Sequence, residues 1–172
     1  MVSTLLSVSV VLALASSLAA AVNVRDEKSL WQPKVNETWQ IVLRATIDKT
    51  NLQPSFVDIW DIDLYENTAQ GTDSSTISYL KEKMNAKVIC YFSAGTWEEV
   101  RTDAGKFNVD DIGNLMEGWP EYWLNTNSQS VREIMKARIA VAAQMGCDAI
   151  DPDNVDGFVS PSNLDYSSIS HL

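Results

Sequence analysis

Apolar positions follow two rhythms along this chain, and each change of rhythm marks an element. Residues 39–47 (WQIVLRATI) and 56–64 (FVDIWDIDL) are dense in β-branched and aromatic side chains and predict two strands. The breaker Asn51-Leu52-Gln53-Pro54 separates them. After a polar turn over 67–75, Ile77, Leu80 and Met84 recur at helical spacing, which predicts a short helix over 76–85. Residues 87–92 (KVICYF) are a nearly unbroken apolar run, the pattern of a parallel strand covered on both faces. The stretch 96–129 keeps neither rhythm and reads as a long connection. Val131, Ile134, Met135, Ile139, Ala142 and Met145 then draw one apolar stripe. The helix carrying it is expected to begin at Ser130, with Ser130 and Glu133 at capping-box spacing, and to stop at Gly146. A fourth strand is expected over 147–150, and 158–172 is polar and rich in serine.

Strands alternating with helices predict an α/β fold with a parallel sheet, which either a doubly wound sheet or a barrel satisfies. No Gly-x-Gly-x-x-Gly follows a strand and no P-loop is present, so a Rossmann-type phosphate site is excluded.

The N-terminus has a different character. Residues 5–22 carry no charge, and Ala19-Ala20-Ala21 offers the small residues that a signal peptidase accepts. Residues 1–21 are therefore expected to be a signal peptide, although no Lys or Arg precedes the apolar run. A membrane anchor is the competing reading for so long a run, and the Ala/Ser content and cleavage pattern weigh against it. Residues 22–38 read as a lead-in and 39–172 as the folded domain. The protein is expected to be secreted, monomeric and free of the membrane after cleavage.

Composition narrows the function. A net charge of -10 provides no basic surface for nucleic acid. It permits a cationic partner, though solubility alone accounts for acidity in a secreted protein. The single histidine, His171, rules out a Cys/His metal cluster, and no cofactor is expected. Cys90 and Cys147 both fall in expected strands; buried free thiols are expected ahead of a bridge. Asn36-Glu37-Thr38 is a glycosylation acceptor, expected on the surface.

In a parallel α/β fold, chemistry collects at the C-terminal ends of the strands. Asp61 and Asp63 end the second strand on one face; Tyr91 and Ser93 end the third, with Trp97 beyond; Asp151, Asp153, Asn154 and Asp156 follow the fourth. Clustered carboxylates raise one another's pKa, which suits the proton donor that glycoside cleavage needs. Trp39 and Trp60 are expected in the core, Trp97 as a platform for a sugar ring, and Trp119 and Trp123 as packing for the long connection. A calcium loop at 151–157 fits less well, because Val155 stands where an EF-hand places a ligand.

Five blocks carry a resemblance: WDIDL at 60–64, VICYFSAGTWE at 88–98, GWP at 118–120, WL at 123–124 and GCDAIDPDNVDG at 146–157. With them the chain resembles glycoside hydrolase family 114, the endo-α-1,4-polygalactosaminidases. The resemblance implies a TIM (β/α)8 barrel and hydrolysis of α-1,4-linked galactosamine-containing polysaccharide, cationic where deacetylated. It implies one catalytic carboxylate at Asp151 or Asp153, a second on a later strand, and substrate binding at Asp61 and Asp63. Tyr91, Ser93, Trp97, Asn154 and Asp156 complete the expected binding set. A full barrel takes about 250 residues, so this chain is expected to hold about the first four strands. A non-catalytic sugar-binding remnant and an inactive truncated product are the alternatives.

Overall fold

A computed structural model describes residues 30–160 and 162–164. The expected signal peptide at 1–21, its cleavage site, residues 22–29 of the lead-in and the tail with Asp165 and His171 lie outside the described residues. Among the described residues no helix is long and apolar enough to cross a membrane.

Four strands form one sheet in the order β1 (Trp39–Val42), β2 (Ile59–Asp63), β3 (Lys87–Ser93) and β7 (Ala149–Asp153), all parallel. Between them lie α1 (Leu64–Asn67), α2 (Ser75–Glu82) and α3 (Gln129–Met145). Trp60, Ile62, Val88, Cys90 and Phe92 point to one face and make the main core with Ile77 and Leu80 of α2 and Ala142 and Met145 of α3. Strand alternation sends their neighbours to the other face. The register then aligns Asp61 with Ile89, Asp63 with Tyr91, Tyr91 with Asp151, and Ser93 with Asp153. The acidic positions therefore stand in adjacent rows on one face.

The 96–129 connection is folded, against expectation. It contains a second sheet, antiparallel, in the order β4 (Thr96–Trp97), β6 (Tyr122–Leu124), β5 (Ile112–Leu115). Strands of two to four residues are too short to show a period in sequence. Phe107, Leu124, Val131 and Ile134 form a small core beneath it.

Several boundaries differ from expectation. β1 ends at Val42, so 43–47 leaves the sheet, and β2 starts at Ile59. The last strand is Ala149–Asp153 rather than 147–150, which carries both Asp151 and Asp153 into the sheet. The expected capping box is absent: α3 begins at Gln129 after Ser128, and Ser130 lies inside the helix. Ser128 Oγ instead donates to Asp111, and Glu133 accepts from Gln129 and Lys136. Gly146 does end α3, in the left-handed region at φ 91°. Ile139 of the expected stripe is exposed, while the adjacent Arg138 is 1% exposed in the core. Trp39 is also a correction: it lies on the edge strand β1 and is 62% exposed, whereas Trp60 is buried as expected.

Cys90 and Cys147 are joined in a disulfide, with Cα atoms 6.0 Å apart, contrary to the free thiols expected. The bond ties the middle of β3 to the turn between α3 and β7. Which strands become neighbours decides this, and that is a tertiary fact.

Candidate active site

The C-terminal ends of the strands open into a cleft of about 970 Å³. Asp63, Tyr91 and Asp153 reach it from the strand ends, Glu98 and Arg101 from the segment after β4, and Trp119 and Glu121 from the β5–β6 hairpin. Arg44 stands over the Trp119 ring, 4.1 Å from its centroid.

Asp63 does structural work at the margin. Its Oδ1 accepts from the backbone N–H groups of Tyr65 and Glu66, capping α1. Arg101 donates to both of its oxygens, at 3.1 and 2.7 Å, and also to Glu98 at 2.7 Å. This fork holds two buried carboxylates with one cation and raises the Arg101 pKa, offsetting a burial that acts the other way. Glu98 Oε2 is buried and has no hydrogen-bond partner among the described residues. A second buried fork lies beneath: Arg138 donates to both oxygens of Asp103, at 2.8 Å each, and to the carbonyl of Ser93.

On the inner face, Asp61 and Asp151 sit against each other. Burial, the charge of Asp151 and a hydrogen bond with it push the Asp61 pKa up to about 7. Asp61 therefore keeps its proton well above the usual carboxylate range. Asp153 lines the cleft; its Oδ2 accepts from the Tyr91 hydroxyl at 3.2 Å and its Oδ1 from the Asn154 N–H at 2.8 Å. Burial and the nearby charges of Asp153, Glu121 and Glu98 raise the Tyr91 pKa, so its proton stays available to Asp153.

Gly95 fixes how the ends of β3 and β7 meet. A Cβ there would overlap the carbonyl oxygen of Asn154, and the Ala94 and Gly95 N–H groups donate to the Asp153 carbonyl at 2.9 and 3.1 Å. Only glycine allows this approach, which seats Asp153 and Asn154 beside residues 93–96.

Comparison with known proteins turns this geometry into a family assignment. The model of glycoside-hydrolase family GH114 matches residues 20–170. The chain belongs to that family. It is 44% identical to Ega3 of Aspergillus fumigatus, solved in complex with galactosamine, with a TM-score of 0.70 over 78% of this chain and 51% of that one. It thus spans about half the length of the Ega3 chain. The glycoside hydrolase domain of PelA from Pseudomonas aeruginosa shares the fold at 15% identity, with a TM-score of 0.57 over 71% of this chain and 46% of that one. No curated protein matches.

Within this GH114 chain the expected site residues divide. Asp63, Tyr91 and Asp153 line the cleft, and Asp61 and Asp151 form the inner pair. Ser93 does not reach it: it is 0% exposed and bonded to Thr96 and Asn154. Asn154 turns its amide inward to Ser93 at 2.9 Å. Trp97 does not line the cleft: its indole donates to Ala104, packs edge-on against Tyr122 and packs against the small core. Trp119, expected only to pack the connection, is the tryptophan on the cleft. Asp156 is exposed and does not line it. Glu98, Arg101 and Glu121 went unselected by sequence reasoning as site residues. For Glu121 a signal existed: in Trp119-Pro120-Glu121-Tyr122 a lone carboxylate sits among aromatic and apolar neighbours. Among the described residues no group of three or more His, Cys, Asp or Glu is placed to hold a metal ion.

Proposed function

We propose that this cleft binds α-1,4-linked galactosamine-containing polysaccharide and that Asp153 supplies one of the two carboxylates for its hydrolysis. The observation that carries this is the position of Asp153: it ends β7, faces the cleft and takes a hydrogen bond from Tyr91. The 44% identity to a protein solved with galactosamine supports the substrate class. Asp151, one strand pleat below and engaged with Asp61, tunes the floor rather than meeting the scissile bond. The Trp119 ring offers a flat apolar face to a sugar, with Arg44 on one side of it.

Cleavage needs a proton donor at the leaving oxygen and a carboxylate acting as nucleophile or base, roughly 5–9.5 Å apart. The family resemblance assigns the second acid to a later strand of a complete barrel. Secretion fits the leader pattern at 1–21 and the Cys90–Cys147 disulfide, which persists in an oxidising compartment. Asn36, exposed at a turn, is an accessible glycosylation acceptor.

Release of reducing ends from a galactosamine polymer tests this reading. In an enzyme containing the later strands, Asp153→Asn should lower turnover by at least about a thousandfold with the fold intact, since an amide neither ionises nor donates an acidic proton. Asp151→Asn should leave most of the turnover. Full activity of Asp153→Asn would refute the assignment. Because the chain spans 51% of the Ega3 chain, binding without new reducing ends would favour a sugar-binding remnant.

A further inference from the structure

Arg44 and Trp119 reach the cleft from different parts of the sheet. Arg44 follows β1, the edge strand, in the segment that leaves the sheet after Val42. Trp119 lies in the turn of the β5–β6 hairpin, which is tied to the β3 side: the Leu124 N–H donates to the Gly95 carbonyl at 2.8 Å, just past the end of β3. Neighbouring strands lie about 4.8 Å apart. The contact between the two side chains therefore reaches over the end of β2, where Asp63 lines the cleft. The face of the Trp119 ring that Arg44 covers is the one turned across the cleft.

The two partners are held unequally. Trp119 is fixed by its turn, where the Met116 N–H donates to the Glu121 carbonyl at 2.7 Å and the Trp119 N–H to the Met116 carbonyl at 3.2 Å. The backbone on either side of Arg44 is anchored through Asn67, which accepts from the Ile47 N–H at 2.8 Å and donates to the Ala45 carbonyl at 3.4 Å. The Arg44 side chain is not anchored. It is exposed, and among the described residues its guanidinium has no hydrogen bond and no carboxylate partner, although Asp63, Glu98, Glu121 and Asp153 line the same cleft. Its one recorded hold is the ring, a weak contact at an exposed position. The ring stays in place while a long side chain is free to turn away from it.

We propose that Arg44 is a gate on the candidate site: its guanidinium occupies the Trp119 face on which a sugar ring would stack, and it swings aside when the polysaccharide enters. The proposal takes its ligand from the galactosamine-polymer reading above and adds a competitor built into the chain. A saccharide reaches the ring only in the open state, so its apparent affinity is lowered by the fraction of molecules in which Arg44 is closed.

Two measurements on the 172-residue chain test this, with thermal melts as the folding control. Acrylamide quenching of the Trp119 emission, taken as the difference from Trp119→Phe, reads the gate without any sugar. Arg44→Gln should raise that quenching, and no change overturns the proposal. Calorimetric binding of an α-1,4-galactosamine tetrasaccharide reads the competition: Arg44→Gln should tighten it about two- to fivefold. Loss of a positive charge also favours a cationic sugar, but salt screens that effect, so the tightening should persist at about 0.5 M salt. Tightening that vanishes in salt reduces Arg44 to a charge effect, and weaker binding by Arg44→Gln makes Arg44 a sugar contact. Either result overturns the gate and leaves the substrate reading standing. Failure of the unaltered chain to bind the tetrasaccharide overturns the substrate reading, while quenching still decides whether Arg44 covers the ring.

Discussion

Asp148 and Asp153 lie five residues apart at opposite ends of β7, and they show how one sheet makes a structural end and a chemical end. Asp148, just before the strand, accepts from Lys87 at 2.9 Å and the Val88 N–H at 3.1 Å and pairs with Lys81 at 3.2 Å. These partners hold its pKa below the usual carboxylate range despite burial. At the other end, acid meets acid: Asp61 against Asp151, and Glu121 beside Glu98 and Asp153, with pKa values raised for Asp61 and Glu121. The difference lies in the company. Where lysines answer the aspartate, charge is used up in holding the fold; where carboxylates answer one another, charge and protons remain for a ligand.

Arg101 is the exception inside the chemical end, and removing it should give the largest stability effect. Arg101→Met strands Asp63 and Glu98 as buried charges without their cation, and such a break costs about 3–5 kcal/mol. Lys81→Met at the structural end removes a partner that is about one-third exposed, leaves Lys87 and the Val88 N–H in place, and should cost under about 1 kcal/mol. Urea unfolding of the two variants measures the contrast. Equal losses would show that the ends do not differ in the way their geometry implies.

The disulfide comes next in size. Cys90–Cys147 closes 57 residues of sequence, a span that includes the whole second sheet and α3. Replacing both cysteines with alanine should cost about 2–4 kcal/mol, largely through a freer unfolded chain. The cleft should keep its ligand binding, since the bond lies on the face of the sheet away from it. Loss of binding at a temperature where the variant remains folded would mean that the bond also sets the height of β7 against β3.

Much of this architecture was legible in the residues. Density of β-branched and aromatic residues gave β2, a nearly unbroken apolar run gave β3, the 3.6-residue stripe and Gly146 gave α3, and the strand-end rule brought Asp63, Tyr91 and Asp153 to the cleft. The rest depends on contacts across the fold. Arg138 and Ile139 are adjacent, and Asp103 together with the Ser93 carbonyl makes the arginine the buried one. Trp97 and Trp119 are both aromatic residues in one connection; a two-residue strand turns the first toward the small core, and a hairpin turns the second to the cleft. Ser93 has the right position in sequence for a ligand contact, but its hydroxyl is already engaged by Thr96 and Asn154.

The last contrast is a difference in slope with pH, and its sign separates the two ends most cleanly. The Asp61 pKa rises from an unfolded value of 3.8 to about 7 in the folded protein. Between those values the folded state holds a proton that the unfolded chain has lost, so stability is fully present below about pH 4 and declines as pH rises toward 7. Asp148 has the opposite shift: its contribution is present above 3.8 and is lost as pH falls through its lowered folded value. Asp61→Asn keeps a hydrogen-bonding group beside Asp151 but cannot ionise, so it should flatten the decline between pH 4 and 7. Asp148→Asn should leave that decline intact and remove part of the loss at the acid end. Melting temperatures across pH 3–8 read both slopes at once. A decline that survives in Asp61→Asn would place the proton elsewhere among the acids at this end of the sheet, with Glu121 the next to substitute, because its pKa is also raised.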